Sequence, residues 1–234
     1  MQFKAILFDL DGTLLPMDYD EFSKGYFHLL TKTAAPYGYE PKSFLSAMMQ
    51  GVEAIVKNDG KVKNATVFWN VFAGILGEKI RELDPVFDNF YETEFHKAKA
   101  FTGENPLAKK AVYLAKEKAE KVVLATNPLF PESAVSSRLS WVGLSPEDFD
   151  LVTDYDSIGF CKPNPAYFSK IVETLNLSPN ECLMIGNNTA EDIKAATAAG
   201  LACYLVTDCL IADGPLPDCE KGTFNELLTF LNSL

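Results

Sequence analysis

Paired cysteines are missing from the sequence. The five cysteines, Cys161, Cys182, Cys203, Cys209 and Cys219, are odd in number and contain no C-x-x-C pair. That argues against a disulfide framework or a zinc site and leaves small buried hydrophobes in a reduced, cytoplasmic setting. Histidine is almost absent. His28 and His96 each stand alone on an expected helix, where a histidine is ordinarily packed or exposed. Basic residues are also short, with 21 Lys and Arg against 32 Asp and Glu and a net charge of -11. Nucleic-acid binding needs a basic face, and an anionic membrane attracts one, so neither partner is expected. No segment approaches the roughly 20 apolar residues of a membrane span. The start, Met1-Gln-Phe-Lys-Ala, lacks a basic stretch leading into an apolar run, so no signal peptide is expected. Internal repeats and low-complexity segments are absent too.

The chain holds 234 residues, 47% of them apolar, enough for one good-sized domain or a core with a smaller companion. Its most informative stretch is Ala5-Ile-Leu-Phe-Asp9-Leu-Asp11-Gly12-Thr13. Four apolar residues run straight into an aspartate, the pattern of a strand buried on both faces that ends at a functional edge. Asp9 and Asp11 would lie beyond the carboxyl end of that strand, where open α/β sheets bind ligands. Gly12 lets the backbone turn sharply there. Two acids in such a place are costly unless something uses them.

From about Met17 to Ala98 the sequence reads as wholly helical. Asp20 is placed to cap a helix carrying Phe22, Tyr26, Phe27, Leu29 and Leu30, which Pro36 and Gly38 end. A second helix carries Phe44, Leu45, Met48, Met49, Val52 and Ile55. A third repeats Val67/Phe68, Val71/Phe72 and Ile75/Leu76, and a fourth carries Val86, Phe87, Phe90, Tyr91 and Phe95. The turn holding Lys57, Lys61 and Lys63 reads as a solvated loop. This stretch interrupts an α/β pattern and is expected to have its own core, as a separate helical domain.

The α/β pattern resumes after Gly103. Strands at Lys121–Ala125, Leu151–Thr153, Cys182–Ile185 and Ala202–Val206 alternate with helices at about 108–118, 132–139, 167–175, 190–199 and 224–231. Such alternation implies a doubly wound, Rossmann-like parallel sheet with right-handed crossovers. The domains would then be 1–16 with 99–234, and 17–98.

Asp9-Leu10-Asp11-Gly12-Thr13 resembles the first motif, D-x-D-G-T, of the haloacid dehalogenase-like hydrolase superfamily. Further motifs follow in the family's order. Thr126-Asn127 ends a strand where the family places a hydroxyl residue. Lys162-Pro163 matches its lysine motif, and Gly186-Asn187-Asn188-Thr189-Ala190-Glu191-Asp192 matches its fourth. The resemblance implies a helical cap at 17–98 over a catalytic cleft, with hinges near 14–18 and 99–103. It implies that Asp9 is the nucleophile, forming an aspartyl-phosphate, and that Asp11 is the acid and base. Members that cleave carbon–halogen bonds lack an acid at the position of Asp11, so this chain is expected to be a phosphatase. Thr126, Asn127 and Lys162 would bind the phosphate.

The fourth motif departs from the family, where Gly is usually followed by Asp. Asn187 stands at that position, while Asp192 matches the second acid. Mg²⁺ is the expected cofactor, held by Asp9, Asp11, Asn187 and Asp192. An asparagine carbonyl is a proper ligand for a hard cation but brings no charge, so weak metal affinity is expected. The substrate would be a small phosphorylated metabolite. Two alternatives stay open: a phosphomutase of the same superfamily, and a low-activity binding or regulatory protein.

Overall fold

The computed structural model of the chain describes residues 3–234. Its centre is a six-stranded, all-parallel sheet of order β3-β2-β1-β4-β5-β6. The strands are β1 (Ala5–Phe8), β2 (Lys121–Leu124), β3 (Leu151–Val152), β4 (Cys182–Gly186), β5 (Ala202–Val206) and β6 (Glu220–Gly222). The chain runs outward from β1 to β2 and β3, then returns to the other side of β1 for β4, β5 and β6. The point where this order reverses lies between β1 and β4, and there the carboxyl ends of the strands frame a crevice. Ala5 is in register with both Lys121 and Cys182, and Phe8 with both Leu124 and Ile185. Three strands therefore deliver their next residues to one edge.

Alternation along the strands feeds two layers of helix. Ile6, Phe8, Leu124 and Ile185 face α5 (Ala108–Lys118), α6 (Glu132–Trp141) and α9 (Phe224–Ser233). Ala5, Leu7, Val123 and Met184 face α7 (Pro165–Leu175) and α8 (Ala195–Ala198).

Residues 19–101 are helical, as the periodicity requires: α1 (Tyr19–Ala34), α2 (Pro41–Val56), α3 (Asn64–Leu76) and α4 (Asp84–Glu92), with tighter 3₁₀ turns at Glu78–Leu83 and Glu94–Phe101. Four details differ from the sequence reading. Asp18, not Asp20, caps α1, accepting from the amides of Asp20 and Glu21 at 3.0 Å. The fourth helix stops at Glu92, where the Thr93 hydroxyl bonds back to the Asn89 carbonyl at 2.6 Å. The helix expected at 190–199 begins as a wide π-type turn over Thr189–Lys194. β6 was not anticipated.

A fifth difference is larger. The buried apolar residues of the helical stretch run on into those of the sheet. Phe22, Tyr26, Phe90 and Phe95 belong to the same continuous cluster as Ile6, Phe8 and Leu139. Trp141 of α6 joins them, with ring centroids 6.5 Å from Phe22 and 5.3 Å from Phe95. The two crossings lie side by side, and the Gly103 amide donates to the Pro16 carbonyl at 2.7 Å. Among the described residues, no helix is long and apolar enough to cross a membrane.

Candidate active site

The site grows from the ends of β1, β2 and β4. Asp9 follows β1 directly, and its amide donates to the Ile185 carbonyl at 2.9 Å. Gly12 sits at φ +88°, and a Cβ there would strike the Asn187 side chain. Glycine is therefore required both by the turn and by the close passage of β4's loop. Thr13 closes the turn. Its hydroxyl lies 3.1 Å from both Asp9 Oδ2 and Asn187 Oδ1.

Lys162 is almost wholly buried and reaches both Asp9 Oδ1 at 2.8 Å and Asp192 Oδ1 at 2.6 Å. An ammonium has three N–H donors, so one remains for a ligand. The opposing charges hold Lys162 far above the usual lysine range, against the pull of burial. Burial pushes the Asp9 carboxyl up to about 7; Lys162 opposes the rise, and Asp192 and Asp11 add to it.

Asp192 has no free oxygen. Its Oδ2 accepts from the amides of Asn187 at 3.1 Å and Asn188 at 3.0 Å, and Oδ1 accepts from Lys162. Gly186 makes this possible, because a Cβ there would strike the Asp192 carboxyl. The geometry gives Asp192 the task of anchoring Lys162 and the β4 loop.

Asn127 is likewise committed. Its Oδ1 accepts from the Lys162 amide at 3.2 Å, and its Nδ2 donates to Glu191 Oε2 at 3.0 Å. Its side chain positions its neighbours instead of facing the cleft with a free amide. Thr126 is buried, with its carbonyl held by Thr153 and Tyr167 at 2.8 Å each. Its hydroxyl has no hydrogen-bond partner among the described residues. An orphaned buried hydroxyl suits a ligand oxygen.

Arg138 is the residue that the sequence did not reveal. It is fully buried on α6, with Nη1 paired to Asp11 Oδ2, Nε donating to the Ala134 carbonyl at 3.2 Å, and the guanidinium 4.3 Å from the Phe130 ring centroid. Three carboxylates, Asp9, Asp11 and Asp192, thus meet two cations, Lys162 and Arg138. Asp11 Oδ1 stays buried with no partner among the described residues. Glu191 also lines the cleft, and burial raises its carboxyl above the usual range.

The oxygen chemistry of the cleft suits a hard divalent cation. Among the described residues no three His, Cys, Asp or Glu side chains converge as a metal group. Asp9 Oδ2 and Asn187 Oδ1 stand on either side of the Thr13 hydroxyl, 3.1 Å from each, and Asp11 lines the same cavity. Asn187 aims that oxygen inward because its Nδ2 donates to the Cys209 carbonyl at 2.6 Å. This donor set fits Mg²⁺, which is usually held by one or two carboxylates.

The family model for haloacid dehalogenase-like hydrolase matches residues 3–200. The chain belongs to this family. Among curated proteins, it is 25% identical to the Bifunctional epoxide hydrolase 2 of Sus scrofa over 236 residues. That match takes in 97% of this chain but only 40% of the relative's length. It is also 25% identical to the Phosphorylated carbohydrates phosphatase of Thermotoga maritima, over 85% of this chain and 82% of that one. The fold is similar to that of a HAD phosphatase from Thermococcus onnurineus, with a TM-score of 0.64, 22% identity and 97% of each chain covered.

The lysine turn between α2 and α3 is more than a solvated loop. Lys57 and Lys61 pair with neighbouring acids in solvent. Lys63 donates to the Ser157 carbonyl at 2.5 Å. The buried Asn64 then docks on the segment that leads to Lys162: its amide donates to the Ile158 carbonyl at 3.0 Å, and its Nδ2 lies 3.3 Å from the Phe160 carbonyl. His28 and His96 take no part in the site.

Proposed function

We propose that the protein is a Mg²⁺-dependent phosphatase, working through an aspartyl-phosphate on Asp9 beneath a helical cap spanning about 17–98. The observation that carries this reading is the pairing of two acids at one strand end. Asp9 and Asp11 both line the cavity at the sheet edge, each already opposed by a buried cation. A carboxylate can attack phosphorus without a base to activate it. As Asp9 bonds to phosphorus, the ester P–O bond breaks and Asp11 gives a proton to the departing alcohol oxygen. Asp11 then takes a proton from the water that attacks phosphorus, and the P–O bond to Asp9 breaks, releasing phosphate. Arg138 holds Oδ2 of Asp11, which leaves Oδ1 to carry that proton. The free N–H of Lys162 and the Thr126 hydroxyl receive phosphate oxygens as negative charge builds. Asp192 and Asn127 keep Lys162 in place. Asp9 and Asn187 would hold Mg²⁺, which would offset the charge of the phosphate when bound, and Asp11 keeps its free oxygen for the proton.

Relatives named as phosphatases support the reaction class. The test is phosphate release from a generic aryl phosphate with millimolar Mg²⁺. Turnover should vanish with a chelator. Failure of the wild type to hydrolyse any phosphate ester in a broad panel would remove the proposal.

A further inference from the structure

The cavity above Asp9 is far larger than a phosphate needs. It encloses about 730 Å³, within the range of sites that bury most of a drug-sized ligand. From the carboxylates at its floor it runs into the helical stretch, between Phe22 and Phe27 of α1, Met48 and Val52 of α2, and Phe68 and Phe72 of α3. Among the described residues that line it, Lys162 is the sole Lys, Arg or His. Two of its three donors are already taken. The acids on the cap side, Asp20, Asp84 and Asp88, are exposed at the rim.

This inventory restricts the part of the substrate that is not phosphate. A carboxylate or second phosphate would find no counter-charge inside and a line of acids at the entrance. A sugar would find wall hydroxyls chiefly at Tyr19, Ser23 and Tyr155, since Tyr26 and Tyr91 bond to each other at 2.9 Å, and each sugar hydroxyl left unbonded costs binding. An alkyl chain gains on every surface that it meets. We infer that the cavity takes a phosphate monoester of a long apolar alcohol with no second anionic group. This assignment rests on the phosphatase reading for its chemistry. The P–O bond to the alcohol breaks, the alcohol leaves with a proton, and water supplies the oxygen that phosphate gains.

The experiment is a chain-length series, from ethyl phosphate to decyl phosphate, below the concentration at which each forms micelles. kcat/KM should rise about fourfold per methylene, then level off when the cavity is filled. Glycerol 3-phosphate and 3-phosphoglycerate should fall at or below ethyl phosphate. A flat series, or a faster polar ester, overturns the assignment. A second arm does not depend on turnover: calorimetry on Asp9→Asn should find octyl phosphate binding at least about 100-fold tighter than ethyl phosphate. Equal affinities overturn the assignment as well. Tight octyl binding with no hydrolysis of any ester would remove the phosphatase reading and keep the apolar site. Val52→Lys, at a half-buried position where the ammonium can reach solvent, should flatten both series. The wild-type series decides the matter by itself if that variant does not fold.

Discussion

The two walls of the cavity are built on opposite principles. The floor is made of charges buried in pairs: Lys162 with Asp9 and Asp192, and Arg138 with Asp11. The roof is made of rings and aliphatic chains that form one cluster with the sheet's own core. Burying a charge is costly unless it is paired and hydrogen-bonded, so each floor residue depends on the others being present. Burying apolar surface is favourable contact by contact, so roof residues depend little on any one neighbour. The floor should therefore tolerate almost no substitution, and the roof a good deal. Chemistry is tied to the intolerant wall, and the choice of substrate to the tolerant one.

The hardest test of the floor is Asp9→Asn. An amide cannot attack phosphorus, so kcat should fall by about 10⁴-fold or more. The fold should survive, because Asp192 still opposes Lys162, but the pH dependence of its stability should change. Asp9 titrates near 7 in the folded, metal-free protein against about 3.9 when unfolded. Between those values the folded state binds more protons, so this group's contribution to stability declines as pH rises from about 4 to 7. Asparagine has no such slope. Urea unfolding with a chelator present should find the variant progressively more stable than the wild type across that window, with a constant gap above it. A gap of constant size from pH 4 to 8 would show that Asp9 is not held where burial opposes its charge.

Next in size is Arg138→Met. It leaves Asp11 buried without its cation, which costs about 3 kcal/mol in comparable pairs. Arg138→Met with Asp11→Asn should lose less than Arg138→Met alone, and the difference measures the coupling. Met49→Ala on the roof, at a position 48% exposed, should stay within about 0.5 kcal/mol. Similar losses for Arg138→Met and Met49→Ala would abolish the contrast between the walls.

Arg138 also marks where the sequence stops being legible. The end of β1 was readable because four apolar residues followed by an aspartate admit few other structures, whereas Thr126 and Asn187 were placed at strand ends by their resemblance to the family's later motifs. Lys162 and Asp192 carried a recognisable setting. A single arginine in Ser136-Ser137-Arg138-Leu139 reads as a surface residue, because its burial depends on a carboxylate 127 positions away. The same limit hid β6, whose Glu-Lys-Gly sequence has no apolar period and pairs through its backbone at the sheet edge. Capping by Asp18 in place of Asp20 was a choice among neighbouring acids. It was settled by the pairing of Met17 with Thr102, which fixes where the chain enters α1. The helical stretch was visible by its period, but periodicity cannot say that its aromatics would merge with Trp141.

Asn64 tests the seam between the walls. Its side chain accepts from Asn58 Nδ2 at 2.8 Å and points its own amide at the Phe160 carbonyl and at Cys161 Sγ, 3.3 Å away in each case. Asn64→Ala orphans buried groups on both sides, at a cost of about 2 kcal/mol. Hydrogen exchange should quicken at residues 155–161 and at the start of α3. Unchanged exchange there would mean that the seam is held by its apolar contacts and not by the Asn64 side chain.

The smallest effect bears on Asn187, an uncharged side chain set among the floor's charges. Asn187 gives its carbonyl to the metal side and its amide to the Cys209 carbonyl at 2.6 Å. An aspartate there would add a charge for Mg²⁺ but would set a carboxylate oxygen against that carbonyl. Two changes of opposite sign are therefore expected from Asn187→Asp. Mg²⁺ should bind about tenfold more tightly, equivalent to about 1.4 kcal/mol. The metal-free protein should lose about 1 kcal/mol, the worth of an ordinary hydrogen bond. Phosphate should narrow the gap in metal affinity, because its own negative charge replaces what asparagine lacks. Calorimetric titration of Mg²⁺ into both proteins, with and without inorganic phosphate, reads the first change, and urea unfolding with a chelator reads the second. Equal Mg²⁺ affinities would place Asn187 away from the metal. Tighter binding with no loss of stability would mean that the Cys209 contact contributes nothing to holding the asparagine in place.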